Sequence, residues 1–555
     1  MEISKIILAL ALAAAPLSAD TEGRIFYLIR AGSHKEAIAL YQEEYAQNKR
    51  HNFELLQKIG IGILEQGHGS KDPEVQILTL FGAAISLNEQ VSYILEEGVK
   101  NTNPQIQLAA LSLLSKNQSD AAEEVLLHAV SSPFLPIRLE AVLGLALRKH
   151  PLAVIQAESL MYKLPKAVQP LFPQIFAMVG NEQSMKLLRK MLSSSSDAVR
   201  IAAIVSSAKY GRDDMLPQIR LLASHFNVPQ QEACAYALGA MKDEASASKL
   251  EQLSLSSHAT VSLAALQALY RLGRVDTRRQ VETMALEDED LFAIGVLGEM
   301  PGSEETLLKL MQNPAMAVRI NAALALLDRN HPACLRGLVE FFVRDARDLA
   351  FAESQSPGKA FSSVKVLSSA SQTLQDTPIV FELSTALRES ALIKTRELPE
   401  QSFLALADLL FVREQSDLIP TLVRLLEDLK SPGAIALLKK HQQKLGAPLI
   451  RHYCNLALYR LKVPGPYAEN LRQWVKGKSD LDMISFRPLV PWEMRSNMNN
   501  YQLTPKEESR LLVEAFEAFG AQQDERGIEA LVEAIQNGNA KNKYALAGLL
   551  ILATQ

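Results

Sequence analysis

Apolar positions recur along this chain at a fixed long interval, and short polar stretches separate them. Val75, Ile106, Ile137, Val168, Val199, Gln230, Val261 and Phe292 follow one another every 31 residues, and only Gln230 breaks the apolar rule. The residue after each anchor is polar and long in six of eight copies, namely Gln76, Gln107, Arg138, Gln169, Arg200 and Gln231, with Ser262 and Ala293 completing the column. Three and four residues past the anchor the chain is usually small, as in Ala109-Ala110, Ala202-Ala203, Ala233-Cys234 and Ala264-Ala265; Leu171-Phe172 departs from this. Positions three and four apart share one face of a helix, so the small pairs predict a helix whose neighbour comes close.

Twelve residues past the anchor stand Gly180, Gly211 and Gly273, each followed closely by Asp or Glu. This predicts a left-handed helix stop and the start of a second helix. At about 3.6 residues per turn, one period holds two helices of roughly three turns each and leaves no room for a strand layer. A ninth copy, Val318-Arg319-Ile320-Asn321-Ala322-Ala323, begins only 26 residues after Phe292, which implies a five-residue deletion in the preceding connection. The expected fold is therefore all-α, a right-handed α-solenoid of two-helix repeats.

These columns resemble the short HEAT-like repeat of phycobilin-lyase-type HEAT proteins, whose pattern runs Asp, Val-Arg, an Ala-rich stretch, Leu-Gly, then Asp. Asp197-Ala198-Val199-Arg200-Ile201-Ala202-Ala203 matches its opening, and Ala235-Tyr236-Ala237-Leu238-Gly239 its middle. The resemblance covers residues 71–340. Tetratricopeptide and ankyrin units have longer periods and signatures that do not recur here.

Outside that stretch the phase is lost. Residues 341–400 form an irregular segment with Ser354-Gln355-Ser356-Pro357-Gly358 and a Ser-rich run from Ser362 to Ser371, and residues 401–473 read as degenerate repeats. Repeat character returns at Leu449–Ala457, where Ile450 is the anchor and Arg451 fills the polar column. Cys454 falls four past that anchor, as Cys234 does, so both are expected as small core residues. The three cysteines, the third being Cys334, lie about a hundred residues or more apart and form no disulfide framework or zinc spacing. Residues 20–70 read as an N-terminal helical cap, in which Ala31–Tyr41 is similar to part of a tetratricopeptide unit; residues 506–555 read as C-terminal helices.

Composition narrows the function classes. A net charge of −4 and pI near 6.3 supply no basic stripe to track phosphates, so no nucleic-acid partner is expected. Residues 1–19 read as a signal peptide: Lys5, an apolar run from Ile6 to Ala15, and Pro16-Leu17-Ser18-Ala19 before a cut ahead of Asp20. Neither that run nor Tyr544–Ala553, the most apolar stretch further on, is long enough to span a bilayer. The expectation is an exported chain, periplasmic or secreted.

Candidate chemistry is sparse. The resemblance raises two enzyme alternatives, a bilin lyase and a metal hydroxylase that binds iron through His-Glu pairs. None of the ten histidines is followed by Glu, and no phosphate-binding Gly-rich loop or Gly-x-Ser-x-Gly elbow occurs. No catalytic, cofactor-binding or metal-ligating residue is therefore assigned. The Arg and Gln column is expected to bond to neighbouring turns and stitch repeats together. Residues 474–505 differ from the rest: they hold both tryptophans, Trp474 and Trp492, with Phe486, Arg487, Arg495 and Tyr501. Aromatic and Arg residues in an irregular segment are the types enriched at binding hot spots. That segment reads either as a binding loop or as a packed end plug, and the chain as a non-enzymatic scaffold for another protein.

Overall fold

A computed structural model describes residues 21–114, 120–343, 380–413, 415, 418–444, 448–477, 485–486, 503–504 and 507–555. The chain opens with α1 (Thr21–Arg30), α2 (His34–Asn48), α3 (Phe53–His68), α4 (Pro73–Ser86), α5 (Glu89–Val99) and α6 (Pro104–Leu114). Then come α7 (Asp120–Ala129), α8 (Leu135–Leu147), α9 (Leu152–Met161), α10 (Phe172–Val179), α11 (Glu182–Leu192), α12 (Asp197–Lys209) and α13 (Leu216–Leu222). They are followed by α14 (Val228–Ala240), α15 (Ala247–Ser254), α16 (Ala259–Arg271), α17 (Thr277–Glu287), α18 (Leu291–Leu297), α19 (Glu304–Leu310), α20 (Met316–Asp328) and α21 (Leu335–Val343). The remainder comprises α22 (Val380–Lys394), α23 (Glu400–Val412), α24 (Ile419–Leu429), α25 (Pro432–Gln442), α26 (Pro448–Arg460), α27 (Tyr467–Lys476), α28 (Glu507–Ala521), α29 (Glu525–Asn537) and α30 (Lys543–Ala553). This is an α-solenoid of paired helices. Its only described strands are two-residue pieces, β1 (Ser485–Phe486) and β2 (Leu503–Thr504), paired antiparallel.

The sequence period is written directly into the helix boundaries. α4, α6, α8, α12, α14, α16, α20 and α26 each begin two residues before their anchor. Every anchor from Ile106 to Val318 is buried, and so is Ile450; Val75 is half-buried. Side-chain caps fix several starts: Asp72 accepts from Glu74 N, Asn88 from Gln90 N, Asn181 from Ser184 N, and Asn227 from Gln230 N. The Val168 copy departs because Pro170 and Pro173 remove backbone donors; it forms a 3-10 turn over Lys166–Leu171 and then the short α10.

The shortened copy differs from expectation in where the residues are lost. α18 and α19 have seven residues each, against thirteen in α16 and eleven in α17. The helices themselves give up the length, because seven residues still form two turns and keep the anchor face buried, whereas a connection must retain enough chain to reverse direction.

Two compact units result. The described residues among 1–125, 462–489 and 501–555 form one, and those of 126–461 the other. In the first unit α30 is apolar on every side and correspondingly buried from Tyr544 to Ile551. It packs on α3 and α4, where two glycines meet. A Cβ at Gly82 would stand 2.2 Å from Tyr544 O, and one at Gly548 2.2 Å from Gly82 O, so only hydrogen fits at that crossing. Helix α2 packs on α29, and Lys541 Nζ pairs with Glu74 at 2.7 Å. Helices read in the sequence as an N-terminal cap and as C-terminal helices thus share one unit.

In the second unit α12, α14 and α16 form a row of first helices, each against the next. The small residues do what their spacing predicted. Ala202, Ala203, Ala233, Cys234, Ala264 and Ala265 are all buried. At the α14–α16 contact a Cβ on Gly239 would stand 2.5 Å from Ala268 Cα.

Candidate interaction surface

The aromatic residues singled out in the sequence fall in different places. Trp474 is half-buried on helix α27 and so lies outside any irregular loop. Phe486 is in β1, its backbone paired opposite Leu503 of β2. Arg487, Trp492, Arg495 and Tyr501 lie outside the described residues, as do residues 1–20 with the signal-peptide expectation and the Ser-rich run 362–371. The tryptophan-bearing helix belongs to the first unit, where Arg472 beside it donates to both carboxylate oxygens of Asp524 at 2.7 and 2.6 Å.

The polar column serves structure. Gln107 Nε2 donates to Val99 O at 3.0 Å and Ser262 Oγ to Ser254 O at 2.6 Å, each to the carbonyl eight residues back at the end of the preceding second helix. Gln76, Arg200 and Arg319 reach six residues back, to Ser70 O at 2.7 Å, Ser194 O at 2.6 Å and Asn313 O at 2.8 Å. The final carbonyls of a helix lack intrahelical partners, so the bonds to Val99 O and Ser254 O each satisfy an orphan acceptor, and those to Ser70, Ser194 and Asn313 tie the following helix to the turn before it. Arg319 adds an ion pair with Glu340 at 2.9 Å.

Gln230, the one polar anchor, is the exception that explains itself. It is fully buried, donates through Nε2 to Leu222 O at 2.9 Å, and accepts from Arg200 Nε at 2.8 Å. The helix-end bond has moved one position earlier in this copy, and the freed carbonyl of the amide receives the guanidinium of the previous repeat. Close by, Arg220 grips Asp243 with two bonds of 2.8 and 2.5 Å. That guanidinium, opposed by desolvation and helped by Ser246, holds the Asp243 carboxyl below its ordinary range.

The groups that carry chemistry elsewhere are occupied here. Cys234, Cys334 and Cys454 are free and buried, as the sequence columns predicted for the first and third. Burial pushes all three thiols up, Cys334 to about 12. Such thiols are poor nucleophiles. No group of three or more His, Cys, Asp or Glu among the described residues is arranged to hold a metal. Among the described residues no helix is long and apolar enough to cross a membrane.

What the structure adds is an exposed apolar row that the sequence reading missed. Tyr162, Leu255 and Leu286 occupy one repeat position, six residues before the next anchor, and are 65%, 85% and 43% exposed. Ser193 and Ser224 fill the same position between them. Leu221, 71% exposed, and the fully exposed Phe226 stand within a few residues of this position in the intervening copy. The row marks where second helices end. The missing signal was outward-facing apolar residues in phase with the period, masked in the sequence because the same helices also carry inward ones.

Comparisons with known proteins come last. A family model described as HEAT repeats matches residues 184–270, which span α11 to α16. No curated protein sequence matches the chain. Among solved structures, a chain of the full-length AP-3 complex in an intermediate open conformation is similar at 13% identity and a TM-score of 0.30, covering 91% of this chain and 90% of that one. Kap121p bound to Ste12p is similar at 12% identity and a TM-score of 0.29, covering 96% of this chain and 65% of its own length. Kap95p, in complex with RanGDP, is similar at 12% identity and a TM-score of 0.25, covering 87% and 77% respectively. The protein carries HEAT-like repeats, assigned by the family match over residues 184–270.

Proposed function

We propose that this chain is a non-enzymatic scaffold that holds another protein along the ends of its second helices. The observation that carries the reading is the exposed row Tyr162, Leu221, Phe226, Leu255 and Leu286. Large apolar side chains left in water at or near the ends of successive second helices cost solvation free energy that a partner's surface recovers. The polar column is turned inward to stitch repeats, and a net charge of −4 gives no reason for a nucleic-acid partner. The 31-residue period supports membership of the short, phycobilin-lyase-type class of repeat, used here as scaffold.

Action outside the cytoplasm is part of the same proposal and rests on the apolar run Ile6–Ala15 with its small-residue exit at Ala19. N-terminal sequencing of the protein purified from its native cell should give Asp20 first; a start at Met1 or Glu2 would remove the compartment from the proposal. The scaffold reading is tested by Leu221→Ser, Phe226→Ser and Leu255→Ser combined. These side chains are exposed, so the melting temperature should stay within a few degrees. Crosslinking in the native cell should lose at least one specific adduct seen with the unaltered chain. An unchanged adduct pattern would refute the assigned surface.

A further inference from the structure

The exposed row carries a charge pattern that neither repeat packing nor helix capping uses. Tyr162 stands at one end of the row and Leu286 at the other, four repeats apart, with Leu221, Phe226 and Leu255 between them. Successive second helices are tied side by side at its start: Lys190 Nζ donates to Tyr162 Oη at 3.2 Å, and Gln218 Nε2 to Ser193 Oγ at 2.6 Å. The first helices α12, α14 and α16, each against the next, keep the later copies in the same order.

The spacing of the row suits an extended chain. Helix axes pack about 8–10 Å apart, so each repeat advances the row by that much and its ends lie roughly 35 Å from each other. Three residues of extended chain cover about 10 Å, so the row matches an apolar side chain at every third residue over about eleven residues. Ser224, His225, Ser257 and His258 are exposed among the apolar side chains. Hydroxyls and imidazoles bond main-chain amides and carbonyls, which an extended segment offers and a helix keeps for itself.

The two ends of the row differ in sign. At the Tyr162 end Lys163, Lys166 and Lys190 are exposed and form no ion pair among the described residues, and Lys190 lies 6.0 Å from the centroid of the Tyr162 ring. At the Leu286 end Glu287, Asp288 and Glu289 are exposed and likewise have no cationic partner among the described residues; Asn313 donates to Glu289 at 2.8 Å. Lys163 and Glu287 occupy the same repeat position, five residues before the next anchor, so the sign reverses along the row and not across it. Glu158 and Glu251, each one turn before a row residue, are carboxylates that interrupt the pattern without cancelling it. Opposite charges at the two ends of an apolar surface select and orient a partner of complementary sign.

We propose that this row holds one extended protein segment of about eleven residues, apolar at every third position, acidic where it covers Tyr162 and basic where it covers Leu286. The pattern and direction of that segment rest on the scaffold reading of the same row.

The test is fluorescence anisotropy of the full chain with capped, labelled peptides that share the core Leu-Ser-Ser-Leu-Ser-Ser-Leu. Two residues flank each side of the core: Glu before and Lys after, Lys before and Glu after, Glu on both sides, or Lys on both sides. At least one mixed peptide should saturate below about 1 mM and bind about five-fold or more tighter than both single-sign peptides, a difference of the size that a few exposed ion pairs supply. Lys163→Glu combined with Lys166→Glu makes both ends acidic and should transfer the preference to the peptide with Lys on both sides, with an unchanged melt. Equal binding of all four peptides, an order unaltered by that double substitution, or no saturation at about 1 mM would each overturn the segment. Failure of the scaffold surface is read separately, from the native-cell adduct. An adduct lost in the combined Leu221→Ser, Phe226→Ser and Leu255→Ser variant keeps the surface even where the peptides reject the segment.

Discussion

Twelve residues past eight of the ten anchors, the backbone turns left-handed whatever the side chain. Gly180, Gly211 and Gly273 have φ of 71°, 60° and 87°, but Leu87, Lys149, Lys242, Asn330 and Lys462 sit at 49°, 57°, 52°, 53° and 54° at the same repeat position. A β-carbon in that region meets the adjoining carbonyl, so those five residues are strained where glycine is not. Lys149→Gly and Lys242→Gly should each stabilise the protein by up to about 1 kcal/mol, read as a raised urea midpoint in the second unit. Gly180→Ala should do the reverse and by more. Its new Cβ would also stand 2.1 Å from the Arg212 guanidinium, which donates to Ala177 O at 2.7 Å. An unchanged midpoint in all three would refute the account of the stop. Glycine made three of these stops visible in the sequence; the other five emerged only from the backbone, because leucine, lysine and asparagine carry no distinct mark of the conformation.

Between helices, the decisive contacts are narrow ones. Ala203 is fully enclosed on the packing face of α12, and Ala203→Leu should destabilise by about 1–3 kcal/mol through overpacking. Gln230→Leu keeps the volume and restores the apolar anchor that the pattern calls for, yet it should cost about 1–3 kcal/mol. It strands Leu222 O and takes the acceptor from Arg200 Nε. Thermal melts of the two variants distinguish the accounts: a stabilised Gln230→Leu would mean that the pattern, and not the bond, governs that site. Periodicity alone marks Gln230 as an error in the repeat, since a pattern of apolar positions carries no information about which carbonyl lies opposite.

Within the first unit, segments more than four hundred residues apart in sequence are joined by polar bonds as well as by α30. His51 is at their centre. Its Nδ1 accepts from Tyr41 Oη at 2.8 Å, its Nε2 donates to Glu525 O at 2.8 Å, and its ring stacks on Tyr45 at 4.0 Å. Both ring nitrogens are satisfied in the neutral form, and burial lowers the pKa despite the nearby Glu525. The unfolded chain therefore takes up a proton first as pH falls. Stability is complete above the ordinary histidine value of 6.5 and declines as pH drops below it toward the depressed native value. Hydrogen-exchange protection factors across residues 34–68 should fall between pH 7 and 5, and His51→Gln should flatten that dependence. A pH-independent protection factor in the unaltered chain would show that the histidine stays neutral in both states or charges in both.

The sequence by itself determined the class of element, the length of the repeat, the phase of the first helices, the buried small pairs and two of the three inward cysteines. All of these follow from local chemistry: a side chain's polarity and size and the handedness of the next turn repeat with the period, so one chain suffices to read them. Tertiary structure decided the rest. It placed α30 against α3 and α4 through the Gly82–Gly548 crossing, moved Trp474 onto a helix, exposed the row from Tyr162 to Leu286, and gathered Lys35, Lys543 and His34 around one cleft. The crossing and the cleft bring together residues with no fixed spacing, and the exposure of the row depends on which face the neighbouring helices leave uncovered. Such contacts are set by packing geometry between helices and not by the pattern in any one repeat.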